Sequence, residues 1–278
     1  MHVESISPIR TAGTLAASLL LVCVALSPGY AAQPAGAKGV PDFSGLWTHS
    51  WKLPGAFEPP PSGPGPVRED PKHPHHDNGP WAADWINPIL KPDTRERLRK
   101  ISEGELNENP HDEASTKCLP PGVPSILGMR DFMQMVQTPD KVLILYTRDH
   151  QVRHVYLNVP HSNPVKTSWL GESVGHYEGD TLVVDTIGQN DKTETDRFGT
   201  PHSDKIHVIE RYRLSPDKKR LELLFTVDDP GAFTTTWSAQ TAYTRDKYFF
   251  EENVCAENNG SHGLGREIDM PVDNTPDF

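Results

Sequence analysis

Two triplets repeat in the chain, Pro160-His161-Ser162 and Pro201-His202-Ser203, each in a long polar stretch between segments of alternating apolar and polar residues. A histidine beside a carboxylate is the usual kit for moving protons near neutral pH, because the acid orients the imidazole and adjusts its pKa. Asp185, Asp191, Asp196 and Asp204 lie on or beside the same stretches, and Tyr156 closes the segment before the first triplet. His161 and His202 are therefore the candidate proton carriers, with Asp185, Asp191 or Asp204 orienting them and Tyr156 donating a hydrogen bond. Trp169, His154, Asn158, Asn190 and His207 could stack on or hold a small, largely apolar or aromatic molecule. The competing view of each residue is local: His, Asp and Asn in loops often serve turns and caps.

The elements that must position these residues read as β-structure. Period-two patterning predicts strands near 131–137, 141–147, 151–158, 172–177, 181–187, 205–214, 220–228, 234–244 and 247–253, preceded by a short strand at Asp42–Thr48. Asp149-His150, Glu178-Gly179-Asp180, Ser215–Lys218 and Arg245-Asp246 read as tight turns. Connections 159–171, 188–204 and 229–232 are the other set. In a simple meander all three fall at one end, which makes that end a mouth holding both His161 and His202. Nine or ten short strands with one apolar face close readily into an antiparallel up-and-down barrel, and a two-sheet sandwich is the alternative. Strand–helix–strand alternation is missing, which argues against a parallel α/β sheet.

Two strands leave their orientation open. On 151–158, His154 and Tyr156 share one face and Val155, Leu157 and Val159 the other. On 205–214, Glu210 sits among Ile206, Val208, Tyr212 and Leu214, either as a catalytic-type buried carboxylate or, the favoured choice, as an ion-pair partner for an arginine.

The first part of the chain is organised differently. Residues 1–31 carry a charged start, an apolar run Leu15–Leu26 and small residues Gly29 and Ala31, the pattern of a secretory signal and hence of a secreted or periplasmic protein. Val22 before Cys23 argues against lipidation. The segment 32–125 is proline-rich, with Pro59-Pro60-Pro61 and Pro64-Gly65-Pro66 expected as extended surface chain, and a short helix capped by Asp93 that carries Leu98 and Ile101. Residues 126–278 form the β domain. Once the signal is removed, Cys118 and Cys255 are the only cysteines. An even pair in an exported chain implies a disulfide, with two free thiols as the alternative. So long a closed loop is worth about 5 kcal/mol in the chain-entropy model.

The strings Glu172-Ser173-Val174-Gly175-His176-Tyr177-Glu178-Gly179-Asp180-Thr181-Leu182-Val183-Val184-Asp185-Thr186 and Pro201-His202-Ser203-Asp204-Lys205-Ile206-His207-Val208-Ile209-Glu210-Arg211-Tyr212 resemble a large family of uncharacterised secreted bacterial proteins. That resemblance spans nearly the whole mature chain and implies no particular activity. Phe43-Ser44-Gly45-Leu46-Trp47 is similar to the Gly-x-Trp opening of lipocalin-like (calycin) barrels, which implies a barrel that binds small apolar molecules.

Several function classes are disfavoured. A net charge of −11 with no basic stripe argues against nucleic acid. No apolar stretch after the signal is long enough to span a membrane. There is no GxSxG elbow and no phosphate-binding glycine loop, so no nucleotide or other cofactor is expected. His73-Pro74-His75-His76-Asp77 is rich in ligands but lacks a rigid support, and no required metal is expected. Two main classes remain: a cofactor-independent acid–base enzyme (lyase, isomerase or hydratase) or a lipocalin-like carrier without chemistry. A metal-dependent oxygenase or hydrolase is a third.

Overall fold

The computed structural model describes residues 39–49, 57–75, 79–109, 111, 113–247 and 252–255. The expected signal segment 1–31 and most of the expected last strand, 247–253, lie outside them. The chain forms a closed barrel of nine strands in sequence order. These are β1 (Gly45–His49), β2 (Met133–Gln137), β3 (Lys141–Tyr146), β4 (Val152–Leu157), β5 (Glu172–Glu178), β6 (Thr181–Ile187), β7 (His207–Leu214), β8 (Arg220–Asp228) and β9 (Trp237–Asp246), with one α-helix, α1 (Pro92–Leu106), and two short 3-10 turns, Ala114–Lys117 and Ser125–Gly128, among the described residues.

Strict alternation explains the closure. In β3, β4, β7 and β8 every second residue is buried, so one face of the sheet is apolar and must be removed from water. Closing the sheet hides that face and abolishes both edges. Trp47, Met133, Ile144, Tyr212, Phe225 and Trp237 are among the largest fully buried side chains. The orientation left open for β4 is thereby decided: Val155 and Leu157 face inward, while Val152, His154 and Tyr156 face out.

One pair departs from the meander. β4 and β5 are parallel, pairing Val155 with Ser173 and Leu157 with Gly175, whereas every other neighbouring pair is antiparallel. The connection from Asn158 to Gly171 therefore does not turn back at one end. It runs the length of the barrel to the other. The loops 188–206 and 229–236 do share an end, and the tight turn at Asp149-His150 joins them there instead of lying opposite. Arg245-Asp246 is not a turn, because β9 continues through it and pairs Leu46 with Asp246 and Trp47 with Arg245.

The end carrying the loops 188–206 and 229–236 is covered. Leu90 bridges to Phe233, and Lys91 N–H donates to the Ala232 carbonyl, which hangs the start of α1 on loop 229–236. Gln189 fastens the 113–128 segment by accepting from Val123 N–H (2.6 Å) and donating to its carbonyl (2.8 Å). The Tyr243 hydroxyl donates to the Leu127 carbonyl at 2.7 Å. Leu90, Leu98, Val123, Ile126, Leu127 and Phe233 join the barrel interior in one buried cluster. The proline-rich stretch contributes too: Phe57 packs edge-on against Phe225 (4.7 Å) and Val67 is buried, so it is not wholly surface chain. α1 begins with Pro92 after Lys91, with Asp93 inside the first turn and not at the cap. Cys118 and Cys255 are disulfide-bonded, tying this cover to the segment that follows β9.

Candidate functional site

The structure separates the two histidines that the meander would have placed together. His202 is buried in the 188–206 loop. Its Nε2 accepts from the Thr193 hydroxyl at 2.7 Å, and its Nδ1–H donates to the Ser203 carbonyl at 2.8 Å. Burial holds its pKa below the ordinary value. It is a neutral histidine with both nitrogens satisfied, and it shares no hydrogen bond with His161.

His161 lies instead against the outer wall of the barrel. Its Nδ1 is 2.9 Å from Glu172 Oε1 and its Nε2 is 3.0 Å from Asp185 Oδ1. The same Asp185 oxygen is 2.8 Å from Nε2 of His207. The result is a linear array, Glu172–His161–Asp185–His207. Three elements build it. Asp185 on β6 faces outward because Val184 and Thr186 beside it are buried. His207 opens β7, one outward position along from Ile209, the residue in register with Asp185. Loop 158–171, running along the barrel, lays His161 over both. Its anchor is Glu172, which accepts from Ser162 N–H (2.7 Å) and from the Ser162 hydroxyl (2.5 Å). Gly171, at φ +70°, makes the entry to β5 possible: a Cβ there would sit 2.5 Å from the Ile187 carbonyl oxygen.

The electrostatics follow from the contacts. The Ser162 hydroxyl, then its backbone N–H, then His161 hold the Glu172 carboxyl below its usual range. Burial pushes Asp185 up, but the hydrogen bonds from His207 and His161 outweigh it and leave the carboxyl below its ordinary value. The hydrogen bond to Asp185 raises the pKa of His207 against partial burial. The two imidazoles thus differ in availability. Both nitrogens of His161 are committed to carboxylates, whereas among the described residues only Nε2 of His207 has a partner, and its side chain is 38% exposed. Nδ1 of His207 remains for a ligand.

The other candidates are scattered. Asp191 and Asp204 are exposed, and among the described residues their side chains make no hydrogen bond. Asn190 accepts from Lys192 N–H in a local turn. Trp169 is half-buried under the Lys192 ammonium at 5.9 Å. His154 and Tyr156 stack on each other outside the barrel, with Tyr156 46% exposed. Asn158 adopts the left-handed turn that leaves β4, at φ 57°. No group of three or more His, Cys, Asp or Glu side chains among the described residues could hold a metal ion. Of the histidine-rich stretch, His76 and Asp77 lie outside the described residues, His73 pairs with Asp70, and His75 stacks on Trp81.

The ion pair expected of Glu210 is present, in the barrel interior. Arg153 NH1 and NH2 donate to the two Glu210 oxygens at 2.8 and 2.5 Å, its Nε donates to Ser173 Oγ at 3.0 Å, and NH2 also donates to Thr186 Oγ1 at 2.6 Å. The Tyr212 hydroxyl donates to Glu210 Oε2 at 2.6 Å. With 2% and 0% side-chain exposure, the pair has no access for substrate.

Glu172 is the member of the outer array that sequence reasoning passed over, because it reads as the first residue of a strand. Its signal was the short spacing to Pro160-His161-Ser162, which lets one loop fold back on its own exit. No protein-family model matches this chain, and no curated protein matches it significantly. The fold and the site define a closed β-barrel with an ordered acid–histidine array on its outer wall.

Proposed function

We propose that this is an exported acid–base enzyme, of lyase, isomerase or hydratase type, whose reacting group is the Asp185–His207 dyad. The observation that carries the reading is the geometry of His207: Nε2–H held by a carboxylate at 2.8 Å, Nδ1 without a partner among the described residues, and a raised pKa. A carboxylate fixes the ring and stabilises its protonated form, so Nδ1 can give a proton to a hydroxyl leaving group or take one from carbon beside a carbonyl. His161 and Glu172 play no direct part in proton transfer in this scheme. They hold Asp185 in place, as positioning residues. Glu172, Asp185 and the nearby Asp228 make the surroundings acidic, so this end of the wall favours neutral or cationic groups.

The test is proton exchange in D₂O. A panel of small neutral β-hydroxy ketones, ketones and aromatic hydroxy compounds is incubated with the protein, and deuterium uptake at carbon is read by mass spectrometry. Exchange that is catalysed by the wild type and lost in His207→Gln supports the reading. Exchange that persists in His207→Gln, or no exchange with any member of the panel, overturns it for these substrates.

A further inference from the structure

We propose that a cleft of about 1010 Å³ on the outer wall of β7–β9 binds an amphiphilic carboxylate, a fatty or aromatic acid, with arginines around its polar groups and an apolar strip beneath its body. This proposal is independent of the acid–base reading. Strand register builds the cleft. Two rungs of outward residues cross it: Thr181–Arg213–Glu222–Ala242, and Arg211–Leu224–Gln240, the latter extended by the bridge from Gln240 to Glu58. The segments Phe57–Pro59 and Val67–Glu69, with Arg220, the buried His49, Phe198 and Leu223, and the half-buried Thr241, complete the lining.

Four arginines, Arg68, Arg211, Arg213 and Arg220, face three glutamates in this lining, in a chain whose net charge is −11. The lining thus gathers guanidinium groups, which bind a carboxylate through paired N–H donors, even though acidic side chains flank them. The guanidinium groups are available. Among the described residues Arg68 makes no ion pair, and the carboxylate paired with Arg220 is 3.9 Å away, on Glu222. Arg211 and Arg213 pair with Glu178 and Asp180 at 2.5 and 3.0 Å, but all four side chains are more than 40% exposed. Such exposed pairs are worth little, and an incoming carboxylate can take one over with a bidentate contact. The second half of the ligand follows from Leu224. It is one of the few large apolar side chains left exposed (37%), and it lies on the same rung as Arg211, with Ala242, Phe57 and Pro59 in the lining. The volume is at the upper end of ordinary small-ligand sites.

The probe pair is dodecanoate and the uncharged dodecanol, titrated below their micelle or solubility limits by calorimetry on the full exported chain. The expected results are three: dodecanoate binds at least about tenfold more tightly than dodecanol, its affinity falls with added salt, and the double variant Arg68→Ala/Arg220→Ala loses about tenfold for dodecanoate and nothing for dodecanol. Both arginines are exposed, so the variant is expected to keep the wild-type thermal midpoint. Equal affinity for acid and alcohol, no binding of dodecanoate, or an unchanged dodecanoate affinity in the double variant would each overturn the proposal.

Discussion

Two regions of this barrel hold an acid beside a base, and they do opposite things with it. In the interior, Arg153 and Glu210 are shut off from water, and the pair is completed by Ser173, Thr186 and Tyr212. Burial raises the hydroxyl of the neighbouring Tyr146 to a pKa of about 12. On the outer wall, Asp185 and His207 are half in water, and one imidazole nitrogen is left open. The lesson is that partner count separates structure from chemistry. A charged group whose hydrogen bonds are all made by the protein fixes a conformation, while one with a vacancy can act on something else. His161 and His202 obey the same rule, since neither has a free ring nitrogen.

The contrast makes predictions of graded size. Breaking the interior pair has the largest effect. Glu210→Gln leaves the Arg153 guanidinium buried without its counter-charge, and should cost about 3–5 kcal/mol in urea unfolding. The double variant Arg153→Met/Glu210→Leu should recover most of that loss, because the charge is then absent and not merely unpaired. A Glu210→Gln protein with wild-type stability would remove the interior half of the comparison.

Glu194, in the 188–206 loop, gives a pH-dependent effect of the next size. Burial, with Glu113 and Asp196 nearby, pushes its carboxyl up to about 7, against the favourable influence of His111. The sign follows from linkage. The folded state holds this proton more tightly than the unfolded chain, so stability is lost as pH rises from about 4.5 through 7. Glu194→Gln should therefore stabilise the protein by up to about 3 kcal/mol at pH 8 and leave it unchanged near pH 4.5, as measured by thermal unfolding at both values.

The outer array should respond more weakly. His161→Gln cuts the link between Glu172 and Asp185. It should cost about 1 kcal/mol, reduced by the partial exposure of both carboxylates, and shift the pH profile of any activity by loosening Asp185. His207→Gln should change stability by less than about 0.5 kcal/mol, because the ring is half exposed, while abolishing proton exchange. If His207→Gln proved as destabilising as Glu210→Gln, the distinction between the two regions would collapse.

The limits of the sequence are visible in particular elements. Alternation made the barrel legible, and the apolar company of Glu210 pointed to a buried arginine partner. Asp185 and His207 were legible as titratable residues at strand ends, though not as partners of one another. The parallel β4–β5 pair was not legible. Strand counting assigns ends only if every connection returns, and a stretch the length of 158–171 can span over 40 Å when extended, roughly twice the length of a strand. One such crossing moved Asp149-His150 to the other end and carried His161 out onto the wall, away from His202. The cover over the loop end was hidden for another reason. Its Leu90, Val123 and Leu127 sit in irregular chain, where no period marks which side chains turn inward.

The central claim, that Asp185 holds His207 as a poised acid–base group, can be read without knowing the substrate. Titration of the His207 ring by ¹H–¹⁵N NMR should give a pKa above that of an ordinary histidine in the wild type, with Nε2 as the protonated nitrogen bound to Asp185. In Asp185→Asn the value should fall back toward the ordinary one, since the hydrogen bond to Asp185 is the leading cause of the elevation. An unperturbed His207 in the wild type, or one whose titration is the same in Asp185→Asn, would contradict the account.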